Sequence, residues 1–114
     1  MKELFYINND ILKFETVIIY GSSNAGRSML FKLLQYNIKV ECFADSDPER
    51  CGVRLFNIPI VHIDELIPMR KTAAIIVSGM YALTVAKELE KLGFMNIFMD
   101  YGNDQGIIHL ERKE

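Results

Sequence analysis

A short segment with two glycines contains the residues of this chain that are best suited to binding chemistry. It reads Gly21-Ser22-Ser23-Asn24-Ala25-Gly26-Arg27, and its glycines hold the first and last positions of the pattern Gly-x-Gly-x-x-Gly. That pattern places the pyrophosphate of a dinucleotide on the amides that begin a helix. Ser23 replaces the middle glycine, but its hydroxyl can donate to phosphate, and the helix start still attracts an anion. We predict an anion-binding turn; the alternative is a turn whose glycines serve packing alone.

Asp45 is the residue predicted to act together with this turn. It follows Gly26 by nineteen residues and ends an apolar stretch, which is where a carboxylate accepts hydrogen bonds from the ribose of a bound nucleotide. The same side chain can instead cap the loop that follows it. A carboxylate at this place repels the 2′-phosphate of NADP, although Arg27 can offset the repulsion. The sequence therefore favours NAD over NADP.

A third loop, Ser78-Gly79-Met80, follows another apolar stretch. Its hydroxyl and backbone groups can contact a ribose or a sugar, or they can form an ordinary turn between a strand and a helix. Together the loops supply the candidate ligand-binding residues, which are Gly21, Ser22, Ser23, Asn24, Ala25, Gly26, Arg27, Asp45, Ser46, Ser78 and Gly79.

The sequence contains no complete set of catalytic or metal-binding residues. Tyr81 is followed four residues later by Val85, not by the lysine that a short-chain reductase needs. His62, Asp64 and Glu65 have the spacing of metal ligands, but this group is more typical of a polar loop that begins a helix. We therefore predict no bound metal and no catalytic activity of the chain on its own.

Length and composition indicate one globular domain that spans residues 1–114. The chain has 50% apolar residues, 25% charged residues and a formal net charge of −2, so it lacks the positive surface that binds nucleic acids or anionic membranes. Two cysteines are too few for a disulfide framework and favour a cytoplasmic location. Polar and charged residues interrupt the apolar residues of Met1–Leu12, so we expect no signal peptide and no membrane insertion.

Apolar stretches that alternate with amphipathic ones predict the elements that position the three loops. Continuous or alternating apolar runs predict strands, whereas apolar residues three or four positions apart predict helices. The predicted strands are Thr16–Tyr20, Ile38–Asp45, Ile58–Val61, Thr72–Ser78 and Asn96–Asp100, and helices are predicted between Ala25 and Leu34, over Asp64–Met69 and between Tyr81 and Leu92. Residues 1–14 form an N-terminal extension and residues 101–114 a charged C-terminal tail.

This alternation of strands and helices predicts an α/β fold, with a parallel sheet between two layers of helices. We expect a three-layer, doubly wound sheet of about five strands in the order 3-2-1-4-5. Ligands of such sheets bind beyond the carboxyl ends of the strands, at the point where the strand order reverses. All three loops are predicted to meet there, in one crevice.

Most of the chain, from Val17 to Asp100, resembles the Rossmann-like domain of bacterial surface-polysaccharide biosynthesis proteins. The matching residues are Gly21–Arg27 after the first strand, Phe43-Ala44-Asp45-Ser46-Asp47-Pro48, Gly52 with Asn57-Ile58-Pro59-Ile60-Val61, and the Asp64-Glu65-Leu66 helix. Ser23 and Asn57 depart from the family pattern, which has glycine at both places.

The resemblance implies a nucleotide-binding domain similar to the cytoplasmic module of nucleotide-sugar dehydratases and to the UDP-sugar-holding module of sugar acetyltransferases, within the wider CoA-binding Rossmann superfamily. It implies NAD or a UDP-sugar as ligand and an enzyme of polysaccharide biosynthesis as partner. The alternative is an interaction domain with a vestigial, unliganded pocket. Such a domain would assemble with itself or with a partner through Leu4–Ile7 and the edge from Met95 to Tyr101.

Overall fold

The computed structural model describes residues 9–100 and 107–111. The strands are β1 (Val17–Tyr20), β2 (Cys42–Asp45), β3 (Arg54–Leu55), β4 (Ile58–His62), β5 (Ala74–Ser78), β6 (Asn96–Asp100) and β7 (Ile107–Glu111). The α-helices are α1 (Asn24–Gln35) and α2 (Ala82–Lys91), and short 3-10 helices cover Asn9–Lys13, Pro48–Arg50 and Ile63–Met69. Each predicted strand and helix is therefore present; Asn96–Asp100 has the predicted ends, and the other elements have shifted ends.

Five parallel strands form the centre of a seven-stranded sheet, in the order β4-β2-β1-β5-β6. This order corresponds to the predicted 3-2-1-4-5. Strand β3 pairs antiparallel with β4 at one edge, and β7 pairs antiparallel with β6 at the other. The expected fold class is confirmed, but the strand count was too low, because antiparallel edge strands add no βα unit that the sequence pattern would reveal.

The two edges correct two expectations about the ends of the chain. Strand β6 does not form a free edge, because it is paired with β5 on one side and with β7 on the other. The proposed interaction edge near Met95 to Tyr101 was therefore wrong for Asn96–Asp100, and residues 107–111 of the predicted tail form a strand. The other proposed surface, Leu4–Ile7, lies outside the described residues.

Neighbouring residues of the central strands point to opposite faces of the sheet and build two cores. Ile19 belongs to one buried cluster together with Leu33 of α1. Ile18 belongs to the other, together with Leu89 of α2. Because strand side chains alternate between faces, a strand of continuous β-branched residues needs a helix on each side. These clusters give the three layers that the sequence predicts.

The N-terminal extension and the second strand differ in detail from the prediction. Ile11, inside the predicted extension, is fully buried and joins the core on the α1 face. The second strand begins only at Cys42, although Ile38 and Val40 are also buried. Burial without strand pairing explains why the apolar pattern predicted a longer strand. Within the described ranges, no helix has the length and apolar character needed to cross a membrane.

Candidate functional site

Two turns that each begin with a glycine of positive φ lie at the carboxyl ends of β1 and β5. Gly21 has a φ of +95° and Gly79 a φ of +100°, values that glycine adopts far more readily than other residues. The amide of Gly21 donates to the carbonyl of Ala44 in β2 (2.6 Å), and the amide of Gly79 donates to the carbonyl of Asp100 in β6 (3.1 Å). Each turn is thus fastened to the end of the neighbouring strand.

Gly26 brings the start of α1 into direct contact with the first turn. A Cβ atom at this position would overlap the carbonyl oxygen of Gly21. No side chain larger than hydrogen fits there unless helix and turn separate. This packing role is the one predicted for the last glycine of the fingerprint.

Asp45 holds the same turn from the β2 side. Its Oδ2 accepts hydrogen bonds from the amide (3.3 Å) and the hydroxyl (2.8 Å) of Ser22, and its Oδ1 accepts one from the amide of Asp47 (3.0 Å). Asp45 and Ser22 are both buried. The side chain therefore performs the loop-capping role that the sequence left open, and its contact with a ribose remains a prediction.

The start of α1 leaves backbone donors exposed to the mouth of the sheet. The first helical hydrogen bond runs from the amide of Arg27 to the carbonyl of Ser23 (3.0 Å), so the preceding helical amides have no carbonyl of the helix to bind. The Ser23 side chain makes no capping hydrogen bond, and the first turn contains no acidic residue. Uncapped helix amides of this kind are an anion-binding arrangement.

A cavity of about 350 Å³, here called the arginine pocket, opens on the β2 side of this helix start. Its positively charged lining residues are Arg27, Arg50 and Arg54, its apolar ones are Val53, Leu55 and Ile60, and its remaining ones are Ser22, Ser23 and Asn24. Guanidinium groups beside apolar side chains suit a ligand with both a phosphate and a flat ring.

A second cavity of about 270 Å³, here called the switch pocket, lies between the two turns, where the strand order reverses. The first turn contributes Tyr20, Gly21, Ser23, Ala25 and Gly26 to its lining, and the second contributes Val77, Ser78, Gly79, Met80, Tyr81 and Val85. The Ser78 hydroxyl oxygen is buried and has no hydrogen-bond partner in the described part of the chain. A buried hydroxyl without a partner is costly, so a bound ligand that supplies one is favoured.

The predicted site residues therefore surround two pockets, not the single crevice that was expected. Ser23 lines both, so the exposed start of α1 stands between them. Asp45 and Ser46 line neither of these two pockets; Asp45 lies behind Ser22 and Ser46 is exposed. Sequence reasoning missed Arg50 and Arg54, because the charges of residues 49–57 indicated only a loop. The signal was present as basic residues just after the predicted second strand.

Cys42 and His62, which line neither of these two pockets, have structural roles. Burial raises the pKa of the Cys42 thiol to about 11, as expected for a core cysteine and not for a nucleophile. His62 Nδ1 accepts a hydrogen bond from the amide of Asp64 (3.1 Å) and so begins the 3-10 helix Ile63–Met69. Among residues 9–100 and 107–111, no three His, Cys, Asp or Glu side chains are grouped so that they could hold a metal ion.

No protein-family model matches this chain, and no curated protein matches its sequence. One solved structure with a similar fold is that of UDP-D-quinovosamine 4-dehydrogenase from Vibrio fischeri. Its TM-score is 0.63 and its sequence identity 16%, over 86% of this chain and 94% of that one. This likeness, together with the strand order and the helix on each face, establishes a doubly wound Rossmann-like fold for the chain.

Proposed function

We propose that this chain is a nucleotide-binding module that holds a diphosphate-containing nucleotide, either NAD or a nucleotide-sugar, across the start of α1. The observation that carries the proposal is the pair of pockets on either side of the Gly21–Arg27 turn, which share Ser23. A ligand with two parts joined by a diphosphate has the shape that this arrangement accepts.

The diphosphate binds at the start of α1, where the amides of Ser23, Asn24, Ala25 and Gly26 have no helix carbonyl to bind. Positive charge is unfavourable in the first turn of a helix, because the helix dipole is already positive there. Arg27 nevertheless occupies this turn, and its Nε donates to the carbonyl of Ser22 (3.3 Å). A bound diphosphate removes this conflict, since it interacts favourably with both the amides and the guanidinium group.

The two ends of the ligand occupy the two pockets. The base and its ribose lie in the arginine pocket, where the exposed side chain of Val53 and the neighbouring Leu55 offer an apolar surface to a ring. The second half, a sugar or another nucleoside, lies in the switch pocket and supplies a hydrogen-bond partner for the Ser78 hydroxyl. The role of Asp45 is to fix the position of the turn through Ser22.

The similar structure from Vibrio fischeri is named as an enzyme that acts on a UDP-sugar. This name supports a nucleotide-sugar as one of the two ligand classes and a role in glycan biosynthesis. We propose that the chain binds the ligand without transforming it and acts with a separate enzyme of polysaccharide synthesis.

Isothermal titration calorimetry with NAD and with a UDP-sugar tests the proposal. We expect saturable binding of at least one of them to the wild-type chain and loss of that binding in Ser23→Leu, whose larger side chain stands at the junction of the pockets. Ser28→Leu is the matched control, because Ser28 is exposed on α1 and lines neither pocket. Absence of binding to the wild type, or equal binding to Ser23→Leu, would contradict the proposal.

A further inference from the structure

Three arginines from three different elements line one small pocket. Arg27 comes from the first turn of α1, Arg50 from the end of the 3-10 helix Pro48–Arg50, and Arg54 from β3. No carboxylate is among the residues that line this pocket. The chain has a net charge of −2, so the cluster does not reflect a general excess of positive charge.

The arginines use little of their hydrogen-bonding capacity within the chain. Arg54 donates to the carbonyl (3.0 Å) and the side-chain oxygen (3.3 Å) of Asn57. No described carboxylate lies within ion-pair distance of Arg27 or Arg54. Arg50 is half exposed and forms long ion pairs with Asp45 (4.0 Å) and Asp47 (3.8 Å). Each guanidinium group has five N–H donors, so most of the donors in the pocket remain available to a ligand.

The carboxylate that would oppose a phosphate in this pocket is committed elsewhere. Both oxygens of Asp45 accept hydrogen bonds from the chain, from Ser22 and Asp47, and the side chain does not line the pocket. The preference for NAD over NADP assumed a carboxylate that faces the ribose. In the structure that assumption is weakened, because the oxygens bind protein donors and Arg50 lies beside them.

We infer that the arginine pocket binds a phosphate monoester on the ribose of the nucleotide, as carried at the 2′ position by NADP or at the 3′ position by coenzyme A. This inference rests on the proposed function and narrows it. The α1 amides and Arg27 account for the diphosphate, which leaves the half-exposed Arg50 and Arg54, a residue with no carboxylate partner among the described residues, to bind a further anion. A monoester phosphate carries close to two negative charges and three acceptor oxygens, which matches a cluster of guanidinium groups.

Calorimetry with two matched ligand pairs tests the inference. NADP differs from NAD by the 2′-phosphate, and coenzyme A differs from dephospho-coenzyme A by the 3′-phosphate. We expect one phosphorylated member to bind at least about tenfold more tightly than its partner, the gain typical of one or more hydrogen bonds to a charged group. The pair that shows the difference identifies the position of the phosphate.

Arginine variants assign the difference to this pocket. Arg54→Gln is expected to reduce the ratio within the responsive pair by at least about fivefold, with a smaller effect on the unphosphorylated ligand. Lys87→Gln removes an exposed positive charge on α2, outside the pocket, and is expected to leave the ratio unchanged. If Arg54→Gln does not fold, Arg50→Gln replaces it, because the Arg50 side chain is half exposed and its substitution disturbs the packing less.

The outcomes separate this inference from the proposed function. Equal affinity within both pairs, while NAD or a UDP-sugar still binds, would overturn the inference and leave the proposed function standing. The inference would also be overturned if the arginine variants bind the phosphorylated ligand in preference to its unphosphorylated partner as strongly as the wild type does. If no nucleotide binds to the wild-type chain, both the inference and the proposed function fail.

Discussion

The two strand-to-helix turns at the mouth of the sheet begin with glycines of similar φ and differ in their side chains and in the backbone at the helix N-cap, where ψ is −159° at Ser23 and 17° at Tyr81. Gly21 and Gly79 have φ values within a few degrees of each other, and each donates its amide to the strand next to it. Around Gly21, the helix start presents Ser23, Asn24 and Arg27. Around Gly79, the residues before α2 are Met80 and Tyr81, which are 84% and 71% exposed. The two turns thus start from a similar glycine and present polar and cationic groups on one side of the mouth and large apolar groups on the other.

Two aspartates extend this comparison behind the turns. Asp45 ends β2 and binds Ser22 of the first turn, whereas Asp100 ends β6 and accepts a hydrogen bond from Lys32 of α1 (3.4 Å). Both carboxylates are buried. One stabilises the geometry of the proposed site, and the other stabilises the packing of a helix on the sheet. Similar residues at equivalent strand ends can therefore affect different properties of the protein.

The largest expected difference between the turns is steric. Gly26→Ala places a methyl group on the Gly21 carbonyl, so we expect a loss of about 3 kcal/mol or more in the free energy of unfolding. In Gly79→Ala the new methyl group would lie 3.5 Å from the Ala25 Cβ, which is an ordinary contact. The expected loss in the free energy of unfolding is therefore about 1 to 2 kcal/mol, mainly from the backbone strain of the positive φ. Urea denaturation of both variants measures the difference. Equal losses would show that α1 does not pack on the first turn as described.

The aspartates should separate stability from binding. Asp45→Asn and Asp100→Asn each weaken charge-assisted hydrogen bonds of a buried group, so we expect each to lower the free energy of unfolding by about 2 kcal/mol. Asp45→Asn also weakens the hydrogen bonds that hold Ser22 and is expected to weaken nucleotide binding about tenfold, whereas Asp100→Asn leaves the affinity within about twofold. Denaturation and calorimetry on the same samples test both parts. Equal effects of the two variants on affinity would show that Asp45 does not position the proposed site any more than Asp100 does.

The smallest expected effect on stability concerns the charges at the two helix starts. Arg27→Glu and Thr84→Glu each place a carboxylate in the first turn of a helix, where it interacts favourably with the helix dipole. Each is expected to raise the free energy of unfolding of the ligand-free chain by about 0.5 kcal/mol. Only Arg27→Glu should abolish nucleotide binding, because it opposes the ligand's phosphates. If Arg27→Glu binds like the wild type, the two helix starts do not differ in function.

Elements with a regular pattern could be predicted from the sequence, and elements defined by pairing could not. The β-branched run Val17–Tyr20 and the amphipathic spacing of α2 depend on local periodicity, so both were found. Strand β3 has two residues and exists only because the turn at Phe56 and Asn57, both with positive φ, returns the chain antiparallel to β4. Neither residue is a glycine, and this is why the hairpin gave no clear sequence signal.

The candidate site, like the fold, was predicted from the sequence only where it depends on local pattern. Gly21 and Gly26 were identified because their spacing reflects backbone constraints that any such turn obeys. Arg50 and Arg54 were not identified, because their approach to Arg27 depends on the hairpin and on the order of β2 and β4. Residues distant in sequence meet only through topology, and a single sequence contains no direct record of such contacts.

Nuclear magnetic resonance tests the central claim most directly, because it observes the backbone amides that are proposed to hold the diphosphate. A ¹⁵N-labelled sample titrated with NADP, NAD and a UDP-sugar would report on every assigned amide. We expect at least one of them to produce large, saturable shifts at Ser23, Asn24, Ala25 and Gly26, accompanied by shifts at Ser78 and Gly79. Titrations that leave the amides of residues 23–26 unchanged, whatever happens elsewhere in the chain, would contradict the claim.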